Sequence, residues 1–240
     1  MKMKLSGMIN ATAASLAFAL GGPALASSVT WYLPGDDAYL SQADSPILGA
    51  DANADNFWLE DFEDGLVNTL GLEALSDGTI REPGSSTDSV DGDDGSVDGW
   101  GTAGHSYFQY DPAAGPSITF AFDAEALGGL PTVAGLVWTD GNPEAPVTFE
   151  AFGADGASLG SFQAVLGDGL HSGSTDADRF LGVEFAEGIS AITISAAFGG
   201  LEIDHVQYGY PIVVPLPAPL AMGLAGLGIV AVARRQRRTG

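Results

Sequence analysis

The residues best suited to chemistry lie in one acidic stretch, TDSVDGDDGSVDGWG, at residues 87–101. Its carboxylates are closely spaced among glycines, at Asp88, Asp91, Asp93, Asp94 and Asp98. Such side chains can converge on a hard cation, and Ca²⁺ takes about six to eight oxygen ligands. The spacing is not that of an EF-hand, because no glutamate closes the loop at the twelfth position. The stretch predicts either a calcium loop, with Asp91, Asp93, Asp94 and Asp98 as ligands, or a solvated acidic loop.

A second set of carboxylates lies on two predicted strands. Asp61 and Glu63 share one face of LEDFEDG, and Glu202 and Asp204 share one face of LEIDHV, by the two-residue period of a strand. In many jelly-roll modules the first and last strands are neighbours, and acidic residues meet there around a structural calcium. If these strands pair, the four carboxylates could form such a site; otherwise they lie on exposed faces. Calcium is therefore the suspected cofactor.

One stretch formally matches a serine-nucleophile motif. Residues 156–160 read G-x-S-x-G around Ser158, with His171, Asp204 and His205 downstream. The motif marks a nucleophile only on a strand-to-helix elbow. Here it follows the predicted hairpin turn ADGA and leads into another strand, so Ser158 is predicted to be an ordinary turn residue. The three histidines lack a metal-binding spacing such as H-E-x-x-H. The sequence thus predicts no catalytic residue and no enzyme.

Aromatic residues near predicted loops favour a different kind of site. Trp100, Tyr107, Tyr110 and Trp138 could stack on sugar rings, as flat aromatic faces do in shallow glycan sites. Trp138 ends an apolar run, which also favours burial in the core, whereas Trp100 lies between two glycines. Trp100, Tyr107 and Trp138 are the candidate ligand-binding residues.

The composition excludes several classes of function. The chain of 240 residues has 31 acidic and 8 basic residues, and between its two ends only Arg81 and Arg179 are basic. So acidic a surface repels phosphate backbones, which argues against nucleic-acid binding, and it repels anionic polysaccharide unless divalent cations bridge the charges. Cysteine is absent from the sequence, which excludes thiol nucleophiles, thiolate zinc sites and disulfides.

The elements that would position these residues are strands. Short alternating runs such as ITFAF, VTFEAF and SAITISAA recur between glycine, aspartate and proline, and only residues 66–75 show a weak helical period. About ten such runs predict an all-β fold, a single antiparallel β-sandwich of the jelly-roll type spanning residues 27–211.

The two ends of the chain have the composition of targeting segments. Lys2 and Lys4 precede an apolar run and the small-residue exit Ala24-Leu25-Ala26, which predicts a signal peptide over residues 1–26. Residues 218–233 carry no charge and would span about 24 Å as a helix at ~1.5 Å per residue. The arginine cluster Arg234, Arg235, Arg237 and Arg238 would hold the far end of this membrane helix on the cytoplasmic side.

The C-terminal order of residues carries a family resemblance. Val214, Pro215, Leu216, Pro217 and Ala218, followed by a glycine-rich apolar segment and the arginine cluster, resemble the VPLPA variant of the PEP-CTERM sorting signal of Gram-negative bacteria. The resemblance covers the tail at residues 212–240. It implies a precursor held in the inner membrane, trimmed by signal peptidase, and cut by an exosortase that passes the protein to the cell surface or the exopolysaccharide.

The middle of the chain resembles the jelly-roll ectodomains that accompany this signal, through FEDGL, VWTDG, GVEFAEGISAITIS and GGLEIDHVQYG. Its similarity to galactose-binding domains and carbohydrate-binding modules is at the level of fold, which does not give function. The resemblance implies a non-enzymatic surface or matrix protein. A carbohydrate-binding or adhesion module is the alternative, and a polysaccharide-active enzyme is a more distant one.

Overall fold

The computed structural model describes residues 28–47, 56–170 and 173–210. The predicted signal peptide, the sorting motif with its apolar segment and arginine cluster, and His171 lie outside these residues. Within the described ranges, no helix is long and apolar enough to cross a bilayer.

The described chain is built mainly from strands, with one short α-helix, α1 (Ala124–Leu127), and three short 3₁₀-helices at Gln42–Asp44, Asp91–Asp94 and Thr175–Ala177. The strands in chain order are β1 (Thr30–Tyr32), β2 (Phe57–Glu60), β3 (Leu72–Ala74), β4 (Thr79–Arg81), β5 (Ser106–Tyr110), β6 (Ser117–Phe122), β7 (Val133–Gly141), β8 (Val147–Gly153), β9 (Ser158–Ala164), β10 (Arg179–Glu184), β11 (Ile189–Ala196) and β12 (Gly200–Gly209).

The strands form two antiparallel sheets. The first sheet has the order β1-β10-β7-β12-β5-β4, with β2 also paired to β12, and the second has the order β3-β6-β11-β8-β9. On one edge of β12, β5 pairs with residues 200–203 and β2 pairs with residues 206–209, so Asp204 and His205 lie between these two partners. The predicted all-β sandwich is confirmed at the level of two packed antiparallel sheets.

The main core lies between the sheets and follows the predicted alternation. Ile118, Phe120 and Phe122 of β6 are buried, as are Ile192 and Ile194 of β11. Burial of each such side chain contributes about 1.5–3 kcal/mol relative to exposure. The two-residue period therefore identified the inward faces correctly, since every second side chain of a strand points to the same side.

Two short strands differ from the sequence-based expectation. The weak helical period at residues 66–75 is not a helix: the structure has turns there, followed by β3, which pairs with β6. β4 pairs with β5 and was also not expected. Each of these strands has 3 residues, which is too short to show a periodic pattern.

A second, smaller core covers the opposite face of the first sheet. Val137 of β7 and Phe180 of β10 project from that face, because their neighbours Leu136 and Leu181 project into the main core. Tyr39 and Val90, from two loop segments, pack against them, and both are buried. The acidic stretch therefore packs against the first sheet through Val90, and the sheet face beneath it is buried.

Candidate functional site

The acidic stretch is fixed to the last strand by carboxylates that accept hydrogen bonds from its backbone. Asp204 Oδ2 accepts a bond of 2.8 Å from the Val90 amide, and Glu202 Oε1 accepts one of 3.0 Å from the Asp88 amide. The hydroxyl of Ser106 also donates to Glu202. These buried side chains thus act as anchors for the loop.

Asp91 closes the loop on itself. Its side chain is fully buried, and its two oxygens accept hydrogen bonds from the amides of Asp98 and Gly99, at 3.1 and 2.7 Å. Gly101 lies against the backbone of Ser89, where a Cβ atom would come 1.9 Å from the Ser89 carbonyl oxygen. The two halves of the stretch are therefore in direct backbone contact.

Two groups of acidic residues have the geometry to hold a metal ion. The first combines Asp93, Asp204 and His205, and the second combines Asp91, Asp94 and Asp98; in each group the potential ligand atoms lie within 4.8 Å of one another. The predicted loop ligands are therefore divided between two places. Asp93 joins the last strand, whereas Asp91, Asp94 and Asp98 remain together.

The first group already contains direct contacts. His205 Nε2 lies 2.8 Å from one carboxylate oxygen of Asp93, and His205 Nδ1 lies 3.3 Å from the hydroxyl of Tyr39. His205 has a φ of 45°, in the left-handed region that side chains other than glycine seldom occupy. This unusual backbone orients the imidazole toward the loop.

The predicted site of four carboxylates is not formed. β2 and β12 pair as expected, with Glu60 opposite Val206, but β2 ends at Glu60 and Phe62 has a φ of 60°. The chain turns there, so Asp61 and Glu63 do not continue along one strand face. Asp61 instead accepts a bond from the amide of Glu63, at 3.2 Å.

The hydrogen-bond partners of Glu63 and Glu60 explain why the carboxylates of this turn do not form the predicted site. Glu63 Oε1 accepts a 2.5 Å bond from the amide of His105, and Glu63 Oε2 lies 3.3 Å from His105 Nδ1. Glu60, which the sequence did not single out, is buried and accepts bonds from the amides of Phe62, Asn68 and Thr69. The carboxylates of this turn hold backbone, as those of the acidic stretch do.

Burial raises the pKa values of the carboxyl groups beneath the loop. Desolvation and then the charge of Glu202 raise the pKa of Asp88 to about 9. Desolvation outweighs the hydrogen bonds from Ser106 and Asp88 and raises the pKa of Glu202 to about 7. The pKa values of Asp178 and Asp204 also lie well above the ordinary range, because both groups are desolvated and face other acids. The acids of this layer are therefore harder to ionise than exposed ones, because water is excluded and other acids lie nearby.

The nearby arginines do not pair with these carboxylates. Arg179 donates to the backbone carbonyls of Asp36, Asp176 and Asp178, and Arg81 lies 3.9 Å from the centre of the Phe108 ring and donates to the Ser86 hydroxyl. Several buried oxygens under the loop have no hydrogen-bond partner among the described residues: Asp88 Oδ1, both Asp178 carboxylate oxygens, Thr139 Oγ1 and Thr175 Oγ1. Asp178, Thr139 and Thr175 were not predicted, since no motif marks them.

The structure corrects two of the three predicted ligand-binding aromatics. Trp138 is 0% exposed and Tyr107 is 4% exposed, because both side chains belong to the core between the sheets. Trp100 is 51% exposed and forms a bridge to Ser174, so it can present a ring to a ligand. Tyr110, at 62%, is also available.

Tyr110 borders a groove of about 380 Å³ on the first sheet. Phe108 and Arg81 line the same groove, together with Asp140 and Asn142. Gly200 forms part of its floor, where a Cβ atom would come 2.9 Å from the Phe108 ring. An aromatic edge, amide and charged groups, and a floor without side chains thus occur together.

Ser158 lies where the sequence predicted. It begins β9 directly after a hairpin turn in which the amide of Gly153 donates to the Ala157 carbonyl. The Ser158 hydroxyl donates to Glu150 Oε1 at 2.6 Å, on the exposed surface. A strand-to-strand hairpin is not the elbow that the G-x-S-x-G motif needs, and Glu150 is not a histidine base.

Comparison with known proteins identifies no family. No protein-family model matches the chain, and no curated protein matches it. Among solved structures, the chain is similar to the enzymatically active domain of tailspike protein 4 from bacteriophage CBA120, with 14% identity and a TM-score of 0.31. The match covers 62% of this chain and 20% of the tailspike chain. An arabinose-bound α-L-arabinofuranosidase has 14% identity and a TM-score of 0.26; the match covers 73% of this chain and 32% of the arabinofuranosidase chain. The chain thus spans a third or less of each protein, and TM-scores this low do not support a functional inference.

Proposed function

We propose that this chain is a non-enzymatic protein of the cell surface or exopolysaccharide matrix, with a β-sandwich domain stabilised by calcium. The observation that carries the proposal is the use of the buried carboxylates. Asp204, Glu202 and Asp91 accept hydrogen bonds from loop amides under a covered sheet face. A catalytic carboxylate has to reach a substrate in a cleft. These three carboxylates instead accept hydrogen bonds from the backbone of the loop.

The strand orders support the finer description of the fold as a jelly roll. Within the first sheet the order β5-β12-β7-β10 occurs, and within the second the order β6-β11-β8-β9. Strands consecutive in the chain from β5 to β8 thus alternate between the sheets, as in a double-sheet jelly roll of eight strands. β1, β2, β3 and β4 are additions to this arrangement.

The proposal of export rests on the two ends of the sequence. The segment at residues 1–26 has the order of a signal peptide, and the tail from Val214 to Arg238 has the order of the VPLPA-type signal. Signal peptidase and an exosortase are the processing partners that this order implies, with the inner membrane as the intermediate location.

Carbohydrate binding is a second candidate function, favoured by the groove beside Tyr110. The exposed phenol ring can stack on a pyranose, and the amide of Asn142 and the guanidinium of Arg81 can bond its hydroxyl groups. Such binding would be compatible with a place in an extracellular polysaccharide. A glycan array in which Tyr110→Ala, but not Trp100→Ala, abolishes binding would favour this candidate.

Mass spectrometry of the mature protein tests the proposal. The full chain carrying a C-terminal tag should be recovered outside the inner membrane of its host with both the first 26 residues and the tag removed. A mature protein that retains Arg238 contradicts processing by an exosortase. Turnover of a polysaccharide, lost on substitution of a single carboxylate, contradicts the absence of catalysis.

A further inference from the structure

Five buried oxygen atoms beneath the acidic stretch lack hydrogen-bond partners among the residues that the structure describes. They belong to Asp88, Asp178, Thr139 and Thr175, whose side chains are 4%, 0%, 0% and 0% exposed. Asp178 is the extreme case, since both of its carboxylate oxygens lack a partner. Leaving a buried polar group unpaired costs about 1–3 kcal/mol, and more when it is charged. So many orphaned oxygens require an explanation.

The strand register places two of these side chains next to each other. Arg179 of β10 is paired with Trp138 of β7 in an antiparallel ladder, so the next residues along, Asp178 and Thr139, face each other. Two positions further along the ladder, Phe180 and Val137 project toward the smaller core. By the two-residue period, Asp178 and Thr139 project to that same covered face.

Backbone contacts bring the other two side chains to this place. Thr175 is joined to Asp178 by a bond of 3.2 Å from the Asp178 amide to the Thr175 carbonyl. Residues 173–175 are hydrogen-bonded to residues 99–101, and these are bonded in turn to Ser89, next to Asp88. Asp88 is also the charged group with the largest electrostatic effect on Asp178. These contacts place the four side chains in the same layer between the sheet and the loop.

Protonation alone does not satisfy this group of oxygens. A neutral carboxylic acid must donate its O–H to an acceptor, and a threonine hydroxyl must do the same. Within the described part of the chain, neither Asp178 oxygen has a hydrogen-bond partner, and neither threonine hydroxyl has one. Arg179, the nearest basic residue in sequence, donates to backbone carbonyls and not to the Asp178 carboxylate. A positive charge is the partner that fits all five atoms.

We propose that Asp88, Asp178, Thr139 and Thr175 hold one calcium ion between the first sheet and the acidic stretch. Two carboxylates balance a divalent charge, and all the side-chain donors are hard oxygens, without nitrogen or sulfur. Calcium suits a closed site better than magnesium, which retains several of its water ligands. None of the four residues belongs to the groups around His205 or Asp94. The ion would tie β7 and β10 to the loops above them.

Of the proposed function, this inference rests only on the calcium dependence of the domain. The experiment is a melting curve of the full chain in mild detergent, first with EDTA and then over a Ca²⁺ titration. Asp178→Asn removes a ligand charge, and Thr139→Val removes a ligand oxygen at nearly constant volume. Asp93→Asn and Asp94→Asn are the matched controls, since they alter the other two acidic groups.

Calcium is expected to reverse the order of the melting temperatures of the wild type and Asp178→Asn. Without calcium, Asp178→Asn should melt at or above the wild-type temperature, because a buried acid that faces other acids is replaced by an amide. With calcium, the wild type should rise by several degrees and Asp178→Asn should not. Thr139→Val should raise the calcium concentration at half-effect by tenfold or more, and both controls should respond like the wild type. If Asp178→Asn fails to fold, Thr139→Val and Thr175→Val provide the same comparison.

Two results would overturn the inference, and only one of them would also contradict the calcium dependence in the proposed function. If the wild type does not respond to calcium, the site is absent and the calcium dependence in the proposed function is also wrong. If Asp178→Asn and Thr139→Val respond like the wild type while Asp93→Asn does not, calcium binds beside His205, and only this inference fails.

Discussion

The carboxylate of Asp204 and the backbone amide of Val90 are joined by a hydrogen bond of 2.8 Å between residues 114 positions apart in the chain. Both residues are fully buried. The bond connects the last strand to the middle of the acidic stretch, at the point where Val90 packs on the sheet. It makes the stretch part of the folded domain.

The first prediction concerns that bond. Asp204→Ala should lower the free energy of unfolding by about 2–3 kcal/mol, because the amides of Val90 and His205 both lose their acceptor in a buried place. Asp204→Asn keeps one of the two acceptor oxygens, so its loss should be smaller than that of Asp204→Ala, at about 1–2 kcal/mol. Urea denaturation of the two variants measures the difference. Equal losses would show that the charge of Asp204, and not its role as an acceptor, is what the fold requires.

The second prediction concerns the contact inside the acidic stretch. Gly101→Ala should destabilise the protein by about 1–3 kcal/mol, because its Cβ would lie 1.9 Å from the Ser89 carbonyl oxygen and backbone must move. Gly84→Ala is the control, since the nearest atom to its Cβ would be 3.8 Å away. Thermal unfolding should separate the two variants clearly. Similar melting temperatures would mean that the stretch does not lie against itself as described.

The third prediction is a pH dependence at His105. Burial lowers the pKa of this imidazole, but hydrogen bonds and charge from Glu63 and Glu82 outweigh it and raise the pKa above its usual value of about 6.5. The stabilisation is therefore complete below the unfolded-state pKa and is lost as the pH rises through the folded-state pKa. Urea midpoints of the wild type and of His105→Gln should differ more at pH 6 than at pH 8. A difference that grows toward pH 8 would contradict the ion pairs.

The fourth prediction is that Ser158 has no catalytic role. Ser158→Ala should change the free energy of unfolding by no more than about 0.5 kcal/mol, the usual range for exposed sites. It should also leave any measured activity unchanged, because the hydroxyl bonds to Glu150 on a hairpin. A fluorophosphonate probe should not label the folded protein at this position. Labelling that disappears on heat denaturation would instead indicate an activated serine.

The sequence predicted the strands of the sandwich well, because their inward faces alternate over five or more residues. Ile118, Phe120 and Phe122 show the pattern, and the structure buries all three. The short strand β3 and the residues before it could not be predicted in this way, since its pairing with β6 is a long-range property.

The candidate site was harder to predict, for reasons that the acidic stretch itself illustrates. The tetrapeptide SVDG occurs twice, yet Val90 in the first copy is 0% exposed and Val97 in the second is 59% exposed. The two valines have the same local sequence, but only Val90 packs against Val137 and Phe180. Asp178 and Thr139 likewise become neighbours only through the register of two strands far apart in sequence. Local spacing does not carry that information.

The measurement that tests the central claim most directly is a crystal structure of the protein grown with calcium, with anomalous diffraction data. The buried carboxylates are expected to serve the architecture of the domain, with a cation balancing their charge. The expected result is an anomalous peak between Asp88 and Asp178, with oxygen ligands at about 2.3–2.6 Å that include Thr139 and Thr175. The contradicting result is a map without such a peak, in which the Asp178 carboxylate bonds to water or to a protein donor.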